Sequence, residues 1–271
     1  MNPPSAMALP DAQAQFDARG IEIDEVGVDR LSYPITYRDL RGTSQSSVAE
    51  VEFVASLDAD VRGTHMSRFV EALHAHRDGV TPATPVVVAQ ELRRRLGARR
   101  AAVELRFTLF IEREAPVTGA AAFMGYGCRL WGSVAEGEPD RARVGVSVPV
   151  TSLCPCSKEI SDYGAHSQRG YVEFSVEPEP NDRPVWPEEL IAVASAAGSA
   201  PVYPLLKRAD EREVTMLAYD NPAFVEDVAR DVAAALTADE RVRAFDVQVA
   251  NEESIHDHRA IARVRWRRSD A

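Results

Sequence analysis

Four runs of this chain alternate apolar with polar side chains, and that alternation constrains the fold more than any other feature. They are Ala49, Val51, Phe53, Ala55 and Leu57; Val103, Leu105, Phe107, Leu109 and Ile111; Val144, Val146, Val148 and Val150; and Phe245, Val247 and Val249. A period of two puts successive side chains on opposite faces of a strand, so each run is a strand with one face buried and one wet. Strands of a parallel sheet are covered on both faces and read as continuous apolar runs instead. The chain therefore builds an antiparallel sheet with one covered face, and the cover must come from the segments between the runs.

Those segments read as helices. After a turn at 62–69, Phe69, Val70 and Leu73 share a helical face. Thr84-Pro85 reads as an N-cap followed by proline at the first helical position, opening a helix that runs to Leu96 and stops at Gly97. Residues 187–197 form another helix. Asn221-Pro222 repeats the cap-then-proline signal ahead of Val225, Val228, Val232 and Leu236, again on one face. Extended runs at 26–37, 123–131, 171–176 and 261–266 complete the set. In order, residues 21–135 and residues 141–268 each read strand, strand, helix, helix, strand, strand, either side of a turn-rich segment at 136–140. The repeat predicts a duplicated α+β fold of two ββααββ units, each an antiparallel sheet with helices on one face. Its open sheet edges invite association into a larger closed sheet. Residues 1–20, with their Pro, Ala and Gln content, read as a disordered lead-in.

At 271 residues the chain is long enough for an ample core. A formal charge of −11 lacks the basic face of a nucleic-acid binder, though a local cationic pocket is enough for a nucleotide. No run approaches the roughly 18 to 20 apolar residues that span a bilayer. Residues 1–17 hold neither the basic nor the apolar part of a signal peptide. Three cysteines, an odd number, fit a reducing cytoplasm. The expected protein is cytoplasmic, with neither nucleic acid nor membrane as a partner.

The chemistry concentrates in Thr151-Ser-Leu-Cys-Pro-Cys-Ser-Lys-Glu-Ile-Ser-Asp-Tyr-Gly-Ala-His-Ser-Gln-Arg-Gly170. This stretch holds Cys154 and Cys156, two of the three cysteines, and His166, one of six histidines. A thiolate and an imidazole suit a borderline-soft divalent metal once a third ligand arrives from elsewhere. The two sulfurs of Cys-Pro-Cys stand too close for an easy disulfide, and the proline stiffens the loop between them. Taken alone, the spacing leaves open a reactive or metal-binding site, a structural zinc knuckle and an unrelated set of residues. Cys128, alone in an extended run, reads as a small buried side chain.

The run Cys154-Pro-Cys-Ser-Lys-Glu-Ile-Ser161, with Tyr163-Gly-Ala-His166 and Gln168-Arg-Gly170, resembles the signature of the type IB GTP cyclohydrolases. These are bacterial and archaeal enzymes that make dihydroneopterin triphosphate from GTP. Arg62-Gly-Thr-His-Met-Ser-Arg-Phe69, Leu206-Lys-Arg-Ala-Asp-Glu211, Phe224-Val-Glu-Asp227 and Glu253-Ser-Ile-His256 are similar to further family blocks, in family order. The resemblance spans residues 20–268, with Ser167 standing where asparagine is more usual. It implies the tunnelling fold, barrel-forming homo-oligomers (a homotetramer) with sites between subunits, and a divalent metal ion: zinc, manganese or iron. The implied activity converts GTP with release of formate, the first step of folate and pterin biosynthesis.

By that resemblance Cys154, His166 and Glu211 are the metal ligands. Without it, the carboxylates of Lys207-Arg-Ala-Asp-Glu-Arg-Glu213 read as solvated charge. Glu226 would accept the N1–H and 2-amino group of guanine, where the residues alone offer an i, i+4 pair with Arg230. His256 would move protons, since imidazole titrates near neutrality, with Glu253 as its supporting carboxylate and His258 on the surface. Cys156 is either a proton-transferring thiol or a further ligand. For the triphosphate, the family blocks hold Lys158, Arg169, Lys207, Arg208, His65 and Arg68. The turn at His65 and Arg68 also offers backbone N–H groups. Two rivals stand beside this reading: a tunnelling-fold nitrile reductase of queuosine synthesis, and a non-catalytic module with a structural zinc.

Overall fold

The computed structural model describes residues 11–180 and 183–269. Its first half runs β1 (Ile23–Arg38), β2 (Ser44–Leu57), α1 (Ser67–His76), a short β3 (Asp78–Val80), α2 (Thr84–Leu96), β4 (Arg100–Glu114) and β5 (Ala121–Ala135). The second half runs β6 (Arg141–Leu153), a six-residue α3 (Pro155–Ile160), β7 (Ser167–Pro178), α4 (Pro187–Ala197), a two-residue β8 (Ala200–Pro201), α5 (Arg208–Asp220), α6 (Val225–Ala238), β9 (Val242–Glu252) and β10 (Arg259–Arg267). All the strands belong to a single ten-stranded sheet in the order β10-β9-β7-β6-β5-β4-β2-β1-β3, with β8 paired to β6 off that path. Each long strand pairs antiparallel with the next long strand in the chain.

The alternating residues all face one way. Val51, Phe53, Val103, Leu105, Val148, Val150 and Val249 are fully or almost fully buried beneath the helices. α2 lies over β4 and β5, α4 over β6, and α6 over β9 and β10. The other face is open and carries charge: Glu104 is clamped by Arg106 and Arg129, and Glu177 by Arg141 and Arg267. The α+β expectation therefore holds, with helices on one side of an antiparallel sheet. Among the described residues no helix is long and apolar enough to cross a membrane.

Two expected helix starts are corrected. Thr84 is the first residue of α2 rather than its cap, and its hydroxyl oxygen accepts from the Thr81 N–H at 2.9 Å. Asn221 closes α5 instead of opening α6; its Nδ2 donates to the Leu217 carbonyl at 3.0 Å. α6 begins three residues after Pro222, with the Asp227 carboxylate accepting from the Phe224 N–H at 3.1 Å. α5 has no counterpart among the expected helices, because it buries only Asp210 and Ala218 and so shows little apolar periodicity. Of the expected lead-in, residues 1–10 lie outside the described residues. Residues 13–17 run beside the turn at 60–63, with backbone bonds from Asp17 N–H to Asp60, Arg62 N–H to Gln15 and Gly63 N–H to Gln13.

The start of α2 sits directly on β5 because Gly132 has no side chain. A Cβ there would stand 2.4 Å from the Val86 nitrogen and 2.6 Å from the Pro85 carbonyl carbon. Backbone cannot yield as a flexible side chain would. Gly132→Ala is therefore expected to cost about 1–3 kcal/mol, several degrees in a thermal melt. Gly127→Ala, whose Cβ would meet only the Ser147 Cβ at 3.5 Å, is expected to melt close to the parent protein.

Candidate functional site

The second half brings most of the expected residues to one end of the sheet. β6 pairs with β7 as far as Leu153 and Ser167, and β7 with β9 as far as Gly170 and Asn251. Cys154, His166 and Glu253 follow or precede those strand ends, so the pairing itself gathers them. Cys154 caps α3 with extended backbone, and its sulfur accepts from the Ser157 N–H at 3.4 Å. The Cys154 N–H donates to the His166 carbonyl at 3.1 Å, and the His166 N–H to Ser157 Oγ at 3.3 Å. These bonds close the loop between thiol and imidazole. Cys154 and His166 are half-buried and Cys156 is exposed.

A polar chain runs inward from His166. Its Nδ1 lies 2.9 Å from Gln168 Oε1, and Gln168 Nε2 lies 3.3 Å from Ser152 Oγ. Ser152 Oγ also contacts Asn251 Nδ2 at 2.9 Å and the Ala223 carbonyl at 3.2 Å. Sequence reasoning missed Ser152 and Asn251, though a signal existed. Each extends an apolar alternation by two residues, after Val150 on β6 and after Val249 on β9, yet is polar. Both are almost wholly buried.

The other candidates fall around this core. Lys158 donates to the Tyr219 carbonyl and lies 4.1 Å from the centre of the Tyr219 ring, so α3 is pinned to the end of α5. Arg169, on β7, is exposed, and its side chain makes no hydrogen bond or ion pair among the described residues. Glu226 is exposed in the first turn of α6, and Arg230 pairs with Asp227 at 3.1 Å instead of with Glu226. His256 is exposed and stacks on His258 with ring centres 5.0 Å apart; no hydrogen bond joins it to Glu253.

Two groups are not brought in. Glu211 is exposed in the first turn of α5, and among the described residues no hydrogen bond or ion pair joins it to Cys154 or His166. Among the described residues no three His, Cys, Asp or Glu side chains are grouped to hold a metal ion. His65 and Arg68 follow β2, whose end lies at the opposite end of the sheet from the end of β6. There His65 Nε2 meets Asp11 Oδ2 at 3.1 Å, Arg68 donates to the Arg95 carbonyl at 3.0 Å, and both line a cavity of about 200 Å³.

Asp210, beside Glu211, holds α5 in place. It is fully buried and accepts from the Val117 and Thr118 N–H groups, the Thr118 hydroxyl and the Lys207 N–H, at 2.7–2.9 Å. Burial alone would push its carboxyl up, but these donors hold it well below the usual carboxylate range. A depressed carboxylate stabilises the fold above its unfolded pKa, near 3.8, and loses that contribution as pH falls through the folded value. Asp210→Asn is therefore expected to lower the melting temperature at pH 7. The gap from the parent protein should narrow in melts taken progressively below about pH 4. By contrast, burial pushes the Cys128 thiol up to about 12, as suits a packing cysteine.

Comparison with known proteins adds identity to this geometry. The family model described as type I GTP cyclohydrolase folE2 matches residues 9–262. A GTP cyclohydrolase FolE2 of Geobacter sulfurreducens is 45% identical over 94% of this chain and 97% of its own length. One from Syntrophobacter fumaroxidans is 44% identical over 93% and 97%. In fold, the chain is similar to uricase from Arthrobacter globiformis, with a TM-score of 0.55 at 9% identity over 92% of this chain and 94% of that one. It is likewise similar to urate oxidase from Bacillus subtilis, with a TM-score of 0.52 at 10% identity over 91% and 100%. The likeness to those two is of fold alone, whereas sequence similarity over nearly the whole chain makes this protein a member of the type I GTP cyclohydrolase family described as folE2.

Proposed function

We propose that this chain is a metal-dependent GTP cyclohydrolase, converting GTP to 7,8-dihydroneopterin triphosphate with release of formate for folate or pterin biosynthesis. Beyond family membership, one observation supports the reading: the backbones of Cys154 and His166 are joined just past the paired ends of β6 and β7, at the end of the sheet where Glu226, Glu253 and His256 also lie. The donor set suits a divalent ion such as zinc, manganese or iron, since Cys154 and His166 offer one sulfur and one ring nitrogen. Glu211 is assigned as third ligand by its place in the family block. The chemistry such an ion supplies is Lewis acidity close to the purine C8.

The protein's own groups do the rest. Glu226, in the first turn of α6, accepts the N1–H and 2-amino group of guanine and rejects a base that cannot donate both. Opening the imidazole ring needs a proton on a ring nitrogen as water adds at C8. His256 delivers it, with Glu253 in the same loop to orient the charged imidazole. Cys156, exposed two residues past Cys154, passes a further proton or serves as an additional ligand. Lys158, Arg169, His65 and Arg68 serve the triphosphate, Arg169 being the one whose guanidinium has no partner among the described residues.

Two features support a site shared between chains. His65 and Arg68 lie at the far end of the sheet from Cys154, out of reach within one chain. Among the described residues the outer edges, β10 and most of β1, are unpaired. Joining β10 of one chain to β1 of the next would satisfy both edges and close a barrel whose lining is the charged face. Each half also adds its four long strands in chain order, β1-β2-β4-β5 and then β6-β7-β9-β10, which supports duplicated units at 21–135 and 141–268. A homotetramer in the cytoplasm suits this reading, and all three cysteines are free.

Metal-defined protein incubated with GTP is expected to yield formate and a pterin chromophore; their absence would sink the assignment. His256→Ala should keep metal and GTP binding but lose about two to four orders of magnitude in turnover. Loss of metal from that variant, or an equal loss of turnover in His258→Ala, would show the proton carrier misassigned. For the shared site, Arg68→Ala and Cys154→Ala chains should each be inactive alone. Assembled together they should regain roughly a quarter of the activity, because a mixed interface restores one intact site in four. No recovery would place each site within one chain.

A further inference from the structure

The geometry points to Gln168 as a positioning residue that, with Ser152, fixes His166 in the tautomer bearing its proton on Nδ1, leaving Nε2 as a bare lone pair for the metal. This rests on the proposed ligand role of His166. The Ala223 carbonyl can only accept, and that one fact sets every direction that follows. Ser152 has one hydroxyl hydrogen, and Ala223 O at 3.2 Å takes it. The two Ser152 lone pairs must then accept, one from Asn251 Nδ2 at 2.9 Å and one from Gln168 Nε2 at 3.3 Å. With its amino group turned to Ser152, Gln168 presents Oε1 to His166 Nδ1 at 2.9 Å. That oxygen only accepts, so Nδ1 carries the hydrogen. A neutral imidazole protonated there has its free lone pair on Nε2, the form a metal ligand needs.

The reverse polarity fails at Ser152. Turning the Gln168 amide over would set its oxygen against a hydroxyl whose only hydrogen is already committed. The fixed direction has a visible cost at the other branch. Asn251, with its amino group held to Ser152, leaves Oδ1 buried and without a partner among the described residues. That oxygen points at Gly170, where a Cβ would stand only 2.6 Å away. A buried acceptor left unpaired is unfavourable by itself, so its presence marks a network held in one direction by a stronger demand. The hub also spans β6, β7, β9 and the loop into α6. One hydroxyl therefore ties the imidazole to the elements that carry Glu226 and Glu253.

The tautomer can be read in metal-free protein from imidazole nitrogen-15 shifts. The wild type is expected to show His166 protonated on Nδ1, and Gln168→Met to shift toward protonation on Nε2. Affinity for zinc, measured by chelator competition, should fall about 10–100-fold in Gln168→Met with the melting temperature held. Gln168→Glu still accepts from Nδ1–H and should keep the wild-type tautomer and zinc affinity at a lower melting temperature, since its second oxygen now meets Ser152; zinc affinity that fell with the melting temperature would mark a merely structural role. Protonation on Nε2 in the wild type, or unchanged tautomer and zinc affinity in Gln168→Met, would overturn the proposal. Equal zinc binding by wild type and Cys154→Ala would instead remove the metal reading of the site, while the nitrogen shifts would still decide what Gln168 does.

Discussion

The structure depends on unbroken antiparallel pairing between strands that follow one another in the chain. Among the described residues eight long strands and two short ones pair within a single sheet. Every strand takes its register from a neighbour, and a slip by one residue would turn an apolar face toward water. Helices then have only one place to go, the face where Val, Leu and Phe emerge. What remains unsatisfied is the perimeter: two open edges and two rows of strand ends. Cys154, His166, His256 and the turn at His65 all lie on that perimeter.

Strand ends make sites because pairing continues right up to the last residue while the backbone beyond is free to turn. β6, β7 and β9 finish almost level, which sets Cys154, His166 and the loop holding His256 beside one another. The inward positions at that level, Ser152, Gly170 and Asn251, depart from the apolar pattern of the strands below them. Core packing is exchanged there for a directed set of hydrogen bonds. Asp210 does comparable work nearby. It is a buried carboxylate that accepts four donors and locks an otherwise exposed helix, α5, to the hairpin joining β4 and β5.

Much of this was legible in the residues. The period of two at 49–57, 103–111, 144–150 and 245–249 determined strands, one buried face and an antiparallel sheet, because burial on one side of a pleat leaves no other pattern. The Pro187 helix and the apolar faces of α1, α2 and α6 were equally plain. The chemical identity of Cys154, His166 and their neighbouring blocks pointed to the family that whole-chain similarity then gave. α5 was not legible, since a helix that buries one carboxylate and one alanine carries no apolar stripe.

Only the tertiary structure decided which candidates meet. The residues alone single out Cys154 and His166, and only the family block adds Glu211; strand pairing joins the first two, while Glu211 stands in the first turn of a helix whose position Asp210 fixes. The family blocks set His65 and Arg68 beside the same chemistry, yet the direction of β2 carries them to the other end of the sheet. Direction was also hidden in the polar hub. Gln168, Ser152 and Asn251 come from three different strands; the first and last meet at the Ser152 hydroxyl, and only that hydroxyl's bond to a backbone carbonyl tells which atom of each must donate. Local pattern determines periodicity and burial because these need only near neighbours, whereas a site needs the ends of strands more than eighty residues apart, and three dimensions alone bring those together.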